Sequence, residues 1–85
     1  MNISVEISYY PLAEDYITPI RAFIDRLQDS GLEVHSNRMS TQIFGEHTAV
    51  MKVLGELMAW SFETYGKAVF VAKFLEGDRR PHSDP

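Results

Sequence analysis

The sequence predicts an α+β fold in which a four-stranded antiparallel sheet carries two helices on one face. Three stretches alternate apolar and polar residues with the period of two that is typical of strands, and a fourth is rich in Val and Phe. Two other stretches repeat apolar residues at helical spacing. Their order along the chain is βαββαβ, and 85 residues allow one hydrophobic core. We therefore assign residues 1–76 to a single α+β domain and residues 77–85 to a C-terminal tail.

The first strand begins at Ile3 and has one apolar and one polar face. Its apolar side chains are Ile3, Val5 and Ile7, and they alternate with Ser4, Glu6, Ser8 and Tyr10. We expect the strand to end at Pro11, because proline cannot donate a hydrogen bond to a ladder.

The first helix is predicted from an apolar stripe with polar residues opposite it. The stripe consists of Ile17, Ile20, Phe23, Ile24 and Leu27. Two starts are open: a cap at Asp15, or a cap at Thr18 with Pro19 in the first helical position. Ser30 and Gly31 indicate its end.

The rest of the chain is predicted to form two strands, a helix and a final strand, so that the chain consists of two βαβ halves. Residues 32–37 and 39–44 alternate as strands, with Asn37 and Arg38 as the turn between them, and Gly45 is predicted to break the third strand. A long helix is predicted over residues 48–65, closed by Gly66, and a final strand over residues 68–75.

Right-handed crossovers in both halves give the ferredoxin-like sandwich, with strand order 4-1-3-2. The first and third strands then lie at the centre, and one face of the sheet has no helix over it. If Ile43 faces the core, Ser40 and Gln42 lie beside Glu6 and Ser8 on that open face. The last strand adds either Val69 and Val71, or Phe70, Ala72 and Phe74.

This mixture of rings, hydroxyls, an amide and a carboxylate is typical of small-molecule sites. Two other interpretations remain open: a solvated polar face, or a face covered by a second copy of the chain. Glu6 likewise has two interpretations, as the partner of Lys73 in an ion pair or as an acceptor for a ligand N–H.

Composition excludes several classes of function. No residue is cysteine, which excludes disulfides and thiol chemistry, and His35, His47 and His82 lack the spacing of metal ligands. The net charge of −4 argues against nucleic acid, and no apolar run is long enough for a membrane span. We expect a cytoplasmic location without a signal peptide, and no hydroxyl has an evident histidine base for catalysis.

Several segments resemble the YkoF-type thiamine/hydroxymethylpyrimidine-binding domains. They occur in the expected order at residues 5–12, 15–20, 37–46, 69–74 and 77–79, and the most specific is Met-Ser-Thr-Gln-Ile-Phe-Gly-Glu at 39–46. The resemblance implies a domain that binds thiamine or its hydroxymethylpyrimidine moiety, catalyses nothing and needs no cofactor. It also implies a homodimer or homotetramer with sheets packed against each other. The ligand-binding residues that we expect are Glu6, Ser8, Tyr10, Asn37, Met39, Ser40, Thr41, Gln42 and Phe70.

Two hypotheses from other classes remain beside this one. The chain can be an oligomeric structural or regulatory module, in which case the open face is only a protein interface. It can also be a small cofactor-free dimeric enzyme, for which His35 is the only candidate base in the sequence.

Overall fold

A computed structural model describes residues 1–80 and contains the predicted sheet and helices. The strands are β1 (Asn2–Pro11), β2 (Glu33–Ser36), β3 (Thr41–Glu46) and β4 (Ala68–Glu76), and the helices are α1 (Ile17–Gln28) and α2 (His47–Tyr65). The sheet has the order β2-β3-β1-β4, and all neighbouring strands are antiparallel. The predicted α+β fold and strand order are therefore confirmed. Residues 81–85 of the predicted tail, including His82, lie outside the described residues.

The hydrophobic core lies between the sheet and the two helices. Its buried members are Ile3, Val5, Ile7 and Tyr9 of β1, Ile43 of β3, Phe23 and Leu27 of α1, and Val50 and Leu54 of α2. Both helices therefore cover the same face of the sheet, as predicted. Because side chains alternate along β1, its polar residues point to the opposite face, which we call the open face.

The first strand and helix end close to the predicted positions. Pro11 is the last residue of β1 and is paired with Ala68 at the end of the ladder between β1 and β4. Of the two predicted caps for α1, Asp15 supplies the hydrogen bond: its Oδ1 accepts from the Thr18 N–H at 3.1 Å. This backbone hydrogen bond lowers the pKa of Asp15 because it stabilises the carboxylate. Gly31 has φ +88°, as expected after a helix.

The third strand differs from the prediction at both ends. It begins at Thr41 and continues through Gly45 to Glu46, so the prediction that Gly45 breaks it is wrong. Gly45 pairs with Ile3 of β1. A Cβ at Gly45 would lie 3.1 Å from Cδ2 of Leu32 and 3.2 Å from Cγ2 of Val50. Close packing, and not a turn, therefore favours glycine at this position.

The second helix has a cap at each end. Glu46 precedes it, and its Oε2 accepts a hydrogen bond of 3.1 Å from the Ala49 N–H, which lowers the pKa of the Glu46 carboxyl. Gly66 follows it with φ +88°. Neither helix within residues 1–80 has the length and apolar character that a membrane crossing requires.

Candidate ligand-binding site

Glu6 lies at the centre of the open face and contacts residues from both neighbouring strands. In the ladders it is opposite Gln42 of β3 and Lys73 of β4. Its Oε2 accepts a hydrogen bond of 3.0 Å from the Ser40 hydroxyl, and its Oε1 lies 3.7 Å from Nζ of Lys73. The predicted Glu6–Lys73 ion pair and the placement of Ser40 and Gln42 beside Glu6 are confirmed. The Glu6 side chain is 43% exposed, so its carboxylate remains accessible from the open face.

A concavity of about 230 Å³ surrounds Glu6 on this face, and we call it the central pocket. It is lined by Ser4, Val5, Glu6, Gln42, Phe44, Lys73, Leu75 and Arg79. Phe44 and Leu75 provide apolar walls, while Glu6, Gln42 and Lys73 provide polar groups. This combination matches the usual composition of a small-molecule site, with apolar walls and a few placed polar groups.

Residues 77–80, which we call the strap, extend back across the open face after β4 ends. The Ser4 hydroxyl donates to the Gly77 carbonyl oxygen at 2.8 Å and accepts from the Arg79 N–H at 2.8 Å. The Arg80 guanidinium then donates a hydrogen bond to Glu33 on β2 and another, of 2.8 Å, to Asp78. The hydrogen bond to Asp78 raises the pKa of Arg80 because it stabilises the charged guanidinium. The strap therefore extends from β4 across β1 and β3 to β2, beside the central pocket.

Sequence patterns missed the strap as part of the site. The segment has no periodicity, and Ser4 is one of several polar residues on β1. The only signal was the resemblance at residues 77–79, which did not indicate where these residues fold.

A second concavity, of about 280 Å³, lies at the end of the sheet where β1 meets the turn before β3. We call it the end groove. Five of the predicted site residues line it: Ser8, Tyr10, Asn37, Met39 and Ser40. Oδ1 of Asn37 accepts hydrogen bonds from the Met39 and Ser40 N–H groups at 2.8 and 3.1 Å, so its amide oxygen holds the turn. Ser40 connects the two concavities because it also contacts Glu6.

Two predicted site residues, Thr41 and Phe70, lie on the helix side of the sheet and not on the open face. Thr41 is opposite Ile7, is buried, and its Oγ1 bonds Oγ of Ser36 at 3.0 Å. Phe70 stacks on Tyr9 with ring centroids 4.4 Å apart and planes 6° apart. The reason is the alternation of side chains along a strand. Thr41 is two residues from Ile43 on β3 and therefore shares the helix side with it, and Phe70 is paired with Tyr9 of the core and faces the same way.

The outer part of the open face is apolar. Of the two alternatives for β4, the structure selects Val69 and Val71, which are opposite Tyr10 and Ser8. Val69, Val71, Leu75 and Tyr10 are 46–53% exposed. We call these four residues the apolar strip; Lys73 interrupts it between Val71 and Leu75. Exposed apolar side chains of this kind are typical of interaction surfaces.

Elsewhere in the described part of the chain, the titratable groups form no second site of this kind. His35 bonds Oε2 of Glu33 through Nε2 at 2.8 Å, and in residues 1–80 no group of three or more His, Cys, Asp and Glu could hold a metal ion. On the helix side, burial raises the pKa of Tyr9, and the nearby Ser61 hydroxyl opposes part of this rise. Among residues 1–80, the buried hydroxyls of Tyr9 and Ser61 have no hydrogen-bond partner.

Comparison with known proteins gives a family and several structural relatives. Residues 2–77 match the YKOF-related family, whereas no curated protein matches the chain. A protein of Streptococcus pneumoniae has a TM-score of 0.84 at 21% identity, covering 93% of this chain and 90% of its own. A “putative thiamine biosynthesis/salvage protein” of Thermotoga maritima has a TM-score of 0.83 at 19% identity, and the match covers 91% of this chain and 85% of that protein. A hypothetical protein of Methanocaldococcus jannascii has a TM-score of 0.78 at 20% identity, covering 94% and 84%. At these identities the structural likeness establishes the fold.

Proposed function

The chain belongs to the YKOF-related family, and from this premise we propose that it binds thiamine or its hydroxymethylpyrimidine moiety without catalysing a reaction. The ligand lies on the open face of the sheet in a homo-oligomer. The observation that carries this proposal is the surroundings of Glu6, where an accessible carboxylate lies between an amide, a hydroxyl and an aromatic wall in one concavity. The description of the Thermotoga maritima relative supports the ligand class.

The chemistry of thiamine matches these groups. Its thiazolium ring is a cation, which a carboxylate such as Glu6 attracts and an aromatic face such as Phe44 favours. Its aminopyrimidine presents N–H donors and ring-nitrogen acceptors, and the Gln42 amide can donate and accept at the same time. With about 18 heavy atoms at roughly 0.3–0.5 kcal/mol each, we expect a dissociation constant in the micromolar range or somewhat below.

The apolar strip on the open face supports the homo-oligomer. Tyr10, Val69, Val71 and Leu75 are about half exposed in one protomer, and burying them against a second sheet removes this apolar area from water. A second sheet also covers the central pocket and shields the ligand. A two-fold arrangement is the simplest that closes, so we propose a homodimer, or a homotetramer built from two such pairs.

The absence of catalysis is part of the proposal. A hydroxyl nucleophile needs a base within hydrogen-bond reach, and the hydroxyl nearest the centre, Ser40, donates to Glu6. His35 is engaged by Glu33 on the outer strand β2. We also propose the cytoplasm as the location, because small domains exported to oxidising compartments are usually stabilised by disulfides and this sequence has no cysteine.

Calorimetric titration of the purified chain with thiamine and with hydroxymethylpyrimidine tests the function. We expect saturable heat with micromolar affinity and a ligand-dependent rise in melting temperature. The control ligand is a thiamine analogue in which oxygen replaces the 4-amino group, and it should bind more weakly because a donor is lost. If neither compound produces binding heat or a thermal shift, the proposal is contradicted. If light scattering then still shows an oligomer, the open face is an interface alone.

A further inference from the structure

The charged groups that line the central pocket are not those that a ligand with only a positive charge would require. In the described part of the chain its charged lining residues are one acid, Glu6, and two bases, Lys73 and Arg79. The Glu6 carboxylate already lies near Lys73 and accepts from Ser40. The pocket therefore has an excess of one positive charge on the side of the strap.

The strap holds Arg79 at the pocket through its backbone. The Arg79 N–H donates to the Ser4 hydroxyl, which in turn donates to the Gly77 carbonyl, and both hydrogen bonds measure 2.8 Å. Ser4 is buried at the floor of the open face. On the far side, Arg80 attaches the strap to Glu33 of β2. The hydrogen bond that attaches Arg79 uses its backbone N–H, and the residue is exposed and lines the pocket.

We propose that Arg79 and Lys73 form an anion subsite of the central pocket, and that the preferred ligand is a phosphate ester of the vitamin alcohol. This inference rests on the proposed function for the identity of the ligand. A phosphorylated thiamine has a cation and an anion, and the pocket provides Glu6 for the first and two bases for the second. A guanidinium suits a phosphate because its fork of N–H groups donates two parallel hydrogen bonds.

The experiment compares thiamine, thiamine monophosphate and inorganic pyrophosphate by calorimetry and thermal shift at low salt. The variants are the wild type, Arg79→Ala, Lys73→Ala and the control Arg21→Ala. Arg21 is exposed on α1, on the other side of the sheet. Arg21→Ala therefore changes the net charge by the same amount as Arg79→Ala and leaves the pocket unaltered. Arg79→Ala leaves the backbone hydrogen bond to Ser4 intact, so the strap should remain in place.

We expect wild type and Arg21→Ala to bind thiamine monophosphate about tenfold more tightly than thiamine, since hydrogen bonds between charged groups are the stronger class. Arg79→Ala should lose most of this preference and Lys73→Ala should lose part of it, whereas Arg21→Ala should bind both ligands as the wild type does. Pyrophosphate alone should raise the melting temperature of wild type but not that of Arg79→Ala.

The outcomes separate the two proposals. Binding of thiamine without a preference for its phosphate, or a preference that survives in Arg79→Ala, overturns the anion subsite and leaves the proposed function standing. Stabilisation by pyrophosphate that depends on Arg79, with no response to thiamine, overturns the vitamin ligand but supports the anion subsite. If none of the three compounds has an effect, both proposals fail.

Discussion

The Ser40 hydroxyl donates a hydrogen bond of 3.0 Å to the Glu6 carboxylate, joining two residues that are 34 positions apart in the sequence. The bond connects the central strand β1 to the turn before β3. Since Lys73 approaches the other oxygen of the same carboxylate, Glu6 is oriented from two sides. An oriented, partly exposed carboxylate is a better acceptor for a ligand than a freely rotating one, because less side-chain entropy is lost on binding.

The first prediction concerns the charge of Glu6. We expect Glu6→Gln to weaken thiamine binding roughly tenfold, because the thiazolium cation loses its partner, and to affect neutral hydroxymethylpyrimidine less. Calorimetry with both ligands measures the difference, with Glu56→Gln as a control for net charge, since Glu56 is exposed on α2. Equal losses for both ligands would show that Glu6 does not act through its charge.

The second prediction separates two adjacent residues of β3 that face opposite sides of the sheet. Thr41→Val removes the hydrogen bond to Ser36 and should cost about 1 kcal/mol of stability while leaving ligand affinity unchanged. Gln42→Leu should weaken ligand binding and leave stability nearly unchanged, because Gln42 lines the central pocket. Urea unfolding and calorimetry on both variants check this. Weakened binding in Thr41→Val but not in Gln42→Leu would contradict the orientation of β3.

The third prediction concerns the aromatic cluster on the helix side. Phe70 stacks on Tyr9 and also contacts Phe23 and Phe62, so Phe70→Ala should cost roughly 2–4 kcal/mol of unfolding free energy. Val71→Ala, one residue along β4 and half exposed on the open face, should cost less than about 1 kcal/mol. Denaturant unfolding measures both, and comparable losses would argue that Phe70 is not in the core.

The fourth prediction uses two glycines with opposite surroundings. A Cβ at Gly45 would crowd Leu32 and Val50, so Gly45→Ala should destabilise the fold by roughly 1–3 kcal/mol. At Gly55, within α2, nothing lies within 4 Å of the added Cβ, so Gly55→Ala should stabilise by about 0.8–1 kcal/mol through helix propensity. Thermal melts of the two variants should shift in opposite directions, and shifts of the same sign would contradict this account.

The sequence alone determined the order of elements, the strand topology and the position of Glu6 on the open face. These follow from short-range patterns: the strict alternation of Ile3, Val5 and Ile7 with polar residues leaves one solution for β1, and right-handed crossovers then order the strands. The Glu6–Lys73 pair could be predicted because it needs only adjacent antiparallel strands.

Only the tertiary structure decided which way β4 faces, why residue 45 is glycine, and where the strap lies. Residues 68–72 are all apolar, so their pattern has no period, and the pairing of Tyr9 with Phe70 sets the orientation. The strap depends on hydrogen bonds between residues 73 and 75 positions apart, where Ser4 meets Gly77 and Arg79. Contacts at such separation leave no local pattern in the chain, because they exist only once the sheet has brought its ends together.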